Sequence, residues 1–158
     1  MYDNILIPTD GSEAAESAVE QAVDLAAKYG ATVHALYVVD VDATNLSLGT
    51  EQVDRIRQGR IDEMPEVKAE AEKATGYVAE AAGERGVPVE EHVSAGSPAR
   101  AIRKFVEDED VDLVVMGSHG RSGLSRVVLG SVAEKVLRRT RIPVLVVDAH
   151  ADEEVDEE

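Results

Sequence analysis

The sequence predicts an α/β domain built on a five-stranded parallel sheet, strand order 3-2-1-4-5, with helices on both faces. Three observations lead there. Short apolar runs alternate with longer segments of helical periodicity along the whole chain, which is the pattern of repeated strand–helix–strand units. One such run, Asp112 to Met116, enters a glycine-rich stretch that leads into a helical segment, Val132 to Arg139. The 158 residues suit one domain with a substantial core, and neither an internal repeat nor a second domain is visible.

Residues 3–8 carry Ile5-Leu6-Ile7, a run apolar enough for a strand buried on both faces, ended by Pro8-Thr9-Asp10-Gly11-Ser12. Asp10 and Ser12 are helix N-cap types, and Glu13 and Glu16 suit a first turn, where carboxylates meet the positive end of the helix dipole. Ala15, Ala18, Val19, Ala22, Val23 and Ala26 then share one helix face, and Gly30 supplies the stop. Thr32 to Val39 reads as the second strand. Residues 40–60 lack sustained periodicity and read as a long connection with a short helical piece near Gln52 to Gln58; loops of that length are often functional. A helix starting at Asp62 or Pro65 spaces Val67, Ala71, Ala74, Val78 and Ala81 on one face and stops at Gly86.

Val87 to Val93 reads as the third strand, and its proline and charges suit an edge. Ser97-Pro98 is an N-cap followed by proline at the first helical position, and the helix behind it buries Ala101, Ile102, Phe105 and Val106. The fourth strand is 112–116. Arg138, Arg139 and Arg141 fall at the carboxyl end of the last helix, where cations are favoured. Ile142 to Val147 is the fifth strand. The acidic stretch 149–158 reads as a disordered tail, which leaves 1–148 as the domain.

Charge narrows the partners. Sixteen basic residues against 32 acidic ones give a net charge of −16, and lysine occurs only at 28, 68, 73, 104 and 135. Such a surface repels nucleic acid and anionic membranes. It fits adaptation to high salt, where self-repulsion is screened, and it also fits an ordinary acidic protein. No apolar run approaches the length of a membrane span, and Met1 leads into a strand without a signal-like stretch, so a cytoplasmic location is expected. With no cysteine there is no disulfide framework, thiolate nucleophile or cysteine zinc site.

In the predicted strand order the chain reverses between the first and fourth strands. Ligands of such sheets bind beyond the carboxyl ends of the strands at the reversal, here Thr9-Asp10 and Gly117. The glycine stretch begins at the same place. Glycine lets backbone N–H groups approach an anion, and a helix N-terminus adds unpaired donors and a positive dipole end. The spacing of Gly117, Gly120, Gly130 and Ser131 is G-x2-G-x9-G-S, which is neither common nucleotide motif. The Ser131 hydroxyl is placed to cap the helix or to bind an oxygen. Arg121 and Arg126 give this acidic chain a local basic exception that a polyanion would need.

Framed by Val-Val-Met-Gly-Ser-His-Gly before and Leu-Gly-Ser-Val-Ala-Glu-Lys-Val after, with Ile-Pro-Thr-Asp-Gly-Ser near the start and Ile-Pro-Val-Leu-Val-Val near the end, the stretch resembles the ATP-binding branch of the universal stress protein family over residues 2–148. The resemblance implies a Rossmann-like, adenine nucleotide alpha hydrolase-like fold, and ATP with Mg2+ held mainly by the phosphates. It implies a nucleotide contact from Asp10, with Pro8 and Thr9 in the same matched segment. It implies that the backbone amide and carbonyl of Val38 read the adenine edge. Gly117, Ser118, His119, Gly120, Arg121, Gly130 and Ser131 would line the phosphates. It also implies a homodimer, and the apolar run Val144, Leu145, Val146 and Val147 on an edge strand points to the same partner, a second copy.

Each residue has a plainer reading. Asp10 can be a helix cap, Val38 a core valine, and the glycines a tight loop packed on the sheet. Ser118-His119 is a poor catalytic dyad, because adjacent side chains diverge and no third group orients them. His34, His92 and His150 lack metal-ligand spacing, and no catalytic or metal-binding set is assigned. The function expected is a regulatory, protective nucleotide-binding module. A slow ATPase and a dimeric interaction protein independent of nucleotide are the alternatives. No Walker lysine is present, which disfavours fast phosphoryl transfer.

Overall fold

Residue parity decides the architecture. In the first strand, β1 (Asn4–Thr9), Ile5 and Ile7 point to one side and Leu6 to the other, and all three are fully buried. A strand with no polar face must be covered twice, so helices lie on both sides of it. A computed structural model describes residues 1–40, 63–118 and 129–148. After β1 come α1 (Glu13–Tyr29), β2 (Thr32–Asp40), α2 (Pro65–Glu84), β3 (Val89–Gly96), α3 (Pro98–Asp108), β4 (Leu113–Gly117), α4 (Ser131–Arg139) and β5 (Val144–Val147). All four strand pairings are parallel and the order is β3-β2-β1-β4-β5, as the sequence predicts.

Two cores follow from the parity. On one face α1 and α2 bring Ala18, Val19, Ala22 and Val78 against Ile5, Ile7, Val33 and Val115. On the other, α3 and α4 bring Ile102, Val106, Ala133 and Val136 against Leu6, Leu36, Val114 and Met116. Each fully buried aliphatic side chain contributes about 1.5–3 kcal/mol. Helix α1 is stopped by Gly30, which takes φ 67° and donates its N–H to the Ala26 carbonyl.

Several boundaries differ from the sequence reading. Strand β3 holds the expected edge but runs two to three residues later, because Val87 is buried at the end of α2 and Pro88 precedes the strand, its carbonyl accepting the Val33 N–H at 2.8 Å. Ser97 occupies the N-cap of α3 without a side-chain bond there, and Pro98 starts the helix with its preset φ. Ala99, Ile102 and Val106 are the buried residues of α3, while Ala101 and Phe105 are half-buried. Strand β5 is shorter than expected, since Ile142 packs on the second core before the strand begins. The helical piece expected near Gln52 to Gln58 and the acidic tail 149–158 lie outside the described residues. Among the described residues no helix is long and apolar enough to cross a membrane.

Candidate functional site

The strand order reverses between β1 and β4, where sheets of this kind form a ligand crevice, and Pro8 ends the pairing there. The Thr32 N–H donates to the Asp3 carbonyl, so odd-numbered residues of β1 turn their backbone groups to β2, and Leu6 and Pro8 turn theirs to β4. The β1–β4 register runs only through Ile5↔Leu113 and Leu6↔Val114. The next rung would carry a residue-8 N–H to the Val115 carbonyl, and proline has no N–H. Pro8 therefore shapes the site by ending a ladder.

Beyond Pro8 the chain turns tightly into α1. The Thr9 Oγ1 accepts the Gly11 N–H at 3.1 Å, the Asp10 Oδ1 accepts the Ser12 N–H at 2.9 Å, and the Ser12 Oγ accepts the Ala15 N–H at 3.3 Å. Gly11 sits at φ 79°, which favours glycine. The helix cap is thus Ser12, and Asp10 braces the turn that presents it. Asp10 itself is half-buried at the mouth of the crevice.

Val38 lies on the other flank. Even-numbered β2 residues face β1, and the Thr9↔Tyr37 register directs the Val38 N–H at the Thr9 carbonyl. The Val38 carbonyl would take the Gly11 N–H in a longer ladder, but that donor is turned onto Thr9 Oγ1. The Val38 carbonyl therefore faces the β1 side at the carboxyl end of the sheet, while its side chain packs on the second core.

At the end of β4, Gly117 is required by packing. A Cβ there would stand 2.7 Å from the Ala14 carbonyl carbon and oxygen. The next residue, buried Ser118, joins three elements through its backbone: its N–H donates to the Val147 carbonyl at 2.9 Å, and its carbonyl accepts the Gly130 N–H at 2.7 Å. Gly130 is the N-cap of α4 at φ −61°, and Ser131, read above as a possible cap, is instead the exposed first helical residue. Because the Gly130 N–H is engaged, an anion would meet the first-turn N–H groups of Ser131, Val132 and Ala133, which have no intrahelical partners and no cap side chain to bond. His119, Gly120 and Arg121 fall outside the described residues.

The structure thus brings Pro8, Thr9, Asp10, Val38, Gly117, Ser118, Gly130 and Ser131 to one end of the sheet. Asp10, Asp40 and Asp148 lie at that end too, each at or just past a strand terminus. At the opposite end the β2–β3 register gathers His34, Glu90 and His92. Their spacing along the chain gives no hint of this. The signal is parity: once β3 lies beside β2, residues 34, 90 and 92 share a face.

Residues 1–148 match the model of the universal stress protein family. The chain is 38% identical over 148 residues to universal stress protein MJ0531 of Methanocaldococcus jannaschii, covering 93% of this chain and 82% of that protein. Among solved structures, hypothetical protein MJ0577 superposes with a TM-score of 0.71 at 30% identity, covering 94% of this chain and 96% of that one. The universal stress protein from Archaeoglobus fulgidus in complex with dAMP has the same fold, with a TM-score of 0.65 at 21% identity over 92% of this chain and 98% of that one. On the match across nearly its whole length, the chain belongs to the universal stress protein family.

Proposed function

We propose that this protein is an ATP-binding regulatory module of the stress response, acting as a homodimer. The observation that carries the reading is the early end of the β1–β4 ladder at the strand-order reversal. Pro8 opens the sheet at the β1–β4 reversal, the Val38 carbonyl faces into it from one flank, and the N-terminus of α4 faces it from the other. The Val38 carbonyl is an acceptor suited to the adenine amino group. The first-turn amides of α4 suit phosphate oxygens, with the Ser131 hydroxyl beside them. That a universal stress protein of this fold has been solved with dAMP agrees with an adenine nucleotide as ligand.

The carboxylates of Asp10, Asp40 and Asp148 oppose a bare triphosphate at this end of the sheet. ATP therefore enters with Mg2+ held mainly by its phosphates, or with its charge met by Arg121 and Arg126. No lysine stands between Gly117 and Ser131 to bind transferring phosphate, so hydrolysis is expected to be slow or absent. The dimer is proposed through β5, an edge strand whose Leu145 is 37% exposed.

The test is to purify the chain at high and low salt, denature it, identify released nucleotide by mass spectrometry, and titrate stripped protein with Mg-ATP by calorimetry. ATP near one per chain is the expected result. No nucleotide, and no heat at millimolar Mg-ATP in either salt, would leave the dimeric interaction protein as the reading.

A further inference from the structure

The histidines at the far end of the sheet form a built cluster. The β2–β3 register sets Glu90 opposite His34 and His92 opposite Leu36, so the three side chains emerge on the α3 face. The two imidazoles stack at 5.4 Å between ring centroids, and both meet Phe105 edge-on, at 5.7 and 4.7 Å. His34 Nδ1 lies 3.2 Å from His92 Nε2 and 3.8 Å from Glu90 Oε2. His34 is buried at 4% exposure, His92 is half-buried, and Glu90 is exposed.

The hydrogen bonds assign the protons. Asn4 turns its Nδ2 to the Asp110 carbonyl at 3.5 Å, which leaves its Oδ1 to accept the His34 Nε2–H at 3.0 Å. The lone pair of His34 Nδ1 then points at His92 Nε2, which donates to it. A histidine whose far nitrogen is tied to an oxygen acceptor, and whose near nitrogen is a bare lone pair, is oriented as a metal ligand is.

We propose that His34 Nδ1, His92 Nε2 and the Glu90 carboxylate bind one divalent ion of the zinc class. The ion takes the place of the N–H···N bond, and His92 moves its one ring proton to Nδ1. Two nitrogens on a tetrahedral zinc ion at about 2.0–2.1 Å are about 3.4 Å apart, close to the 3.2 Å separation here, and the rings turn so that both lone pairs meet at the ion. Glu90 closes its gap by side-chain rotation, since it is exposed. Three protein ligands leave the fourth position to water. Packing alone explains the stacked rings but not the convergence of Glu90 on the same nitrogen pair. The site lies away from the crevice and stands independently of the ATP reading.

The test uses the full chain, stripped by chelator and free of nucleotide, in excess Mg2+ to occupy surface carboxylates. Zn2+ is titrated against a chromogenic chelator, and Co2+ is followed by its visible spectrum. One tight equivalent with the intense bands of tetrahedral cobalt is expected. His92→Gln keeps an N–H donor for His34 and removes the imidazole; it should weaken Zn2+ at least about 100-fold and abolish those bands, with Glu90→Gln weakening Zn2+ about 10-fold. Glu90 is exposed, so its variant folds even if the histidine variant does not. Absence of a tight equivalent, or wild-type binding in either variant, overturns the site and leaves the histidines as a packed pair.

Discussion

Gly117 and Ala14 touch so closely that no side chain fits between them. A Cβ on Gly117 would lie 2.7 Å from both the carbonyl carbon and the carbonyl oxygen of Ala14. The contact seats the first turn of α1 against the end of β4. Ala14 presents backbone here, which cannot rotate away as a side-chain tip could. Gly117→Ala is expected to destabilise the fold by about 1–3 kcal/mol through overpacking. Urea unfolding should show a lower midpoint at unchanged slope. An unshifted midpoint would mean that the α1–β4 contact is slack.

Gly130 tests the ligand site. Its φ of −61° is open to any residue, so no backbone strain follows from a side chain there. As a poorer cap Gly130→Val costs about 1 kcal/mol or less, and because Gly130 is buried the branched side chain adds about 1–3 kcal/mol of overpacking. It should nevertheless weaken nucleotide about tenfold or more, about 1.4 kcal/mol or more, because the new methyls stand before the α4 amides. Calorimetry with Mg-ATP checks this. Unchanged affinity would place the phosphates elsewhere.

Pro8 is predicted to hold the crevice open by lacking a donor. Pro8→Ala restores an N–H that faces β4 and the Val115 carbonyl. The ladder should gain a rung worth about 1 kcal/mol, offset in part by the greater freedom of the unfolded chain. Hydrogen exchange should find the new amide protected, with nucleotide affinity lowered as the crevice narrows. A rapidly exchanging amide together with wild-type affinity would refute the account.

Leu145 tests the assembly. It is 37% exposed on the edge strand, so Leu145→Asp should cost the isolated chain less than about 1 kcal/mol. Across a β5–β5 interface it would set like charges against each other. Sedimentation should show the wild type as a dimer and the variant as a monomer. A variant dimer of wild-type strength would move the interface off β5.

The parts of this protein that depend on local pattern are readable from its residues. Ile5-Leu6-Ile7 and Leu113 to Met116 are apolar at every position because both faces are covered, and the strand order follows from where the glycine stretch falls. The helix start after β1 is also readable, although the choice between Asp10 and Ser12 as cap is not, since both types serve and only the backbone path separates them. Long-range relations were hidden. The need for glycine at 117 comes from Ala14, and the convergence of His34 with His92 comes from strand register. Val38 falls between: a valine in an apolar strand reads as core, and only the parity of its hydrogen bonds shows where its carbonyl points.

The Ser118–Gly130 bond has a consequence for how members of such a family can diverge. It clamps the two ends of an eleven-residue stretch, 119–129, to each other and, through Ser118, to Val147. The length of chain between them matters little to the sheet, because doubling a loop costs only about 0.6 kcal/mol in closure entropy, whereas Leu129 packs on the second core and belongs to the scaffold. A graft of a foreign segment between Ser118 and Leu129 should therefore leave the melting point of the scaffold unchanged.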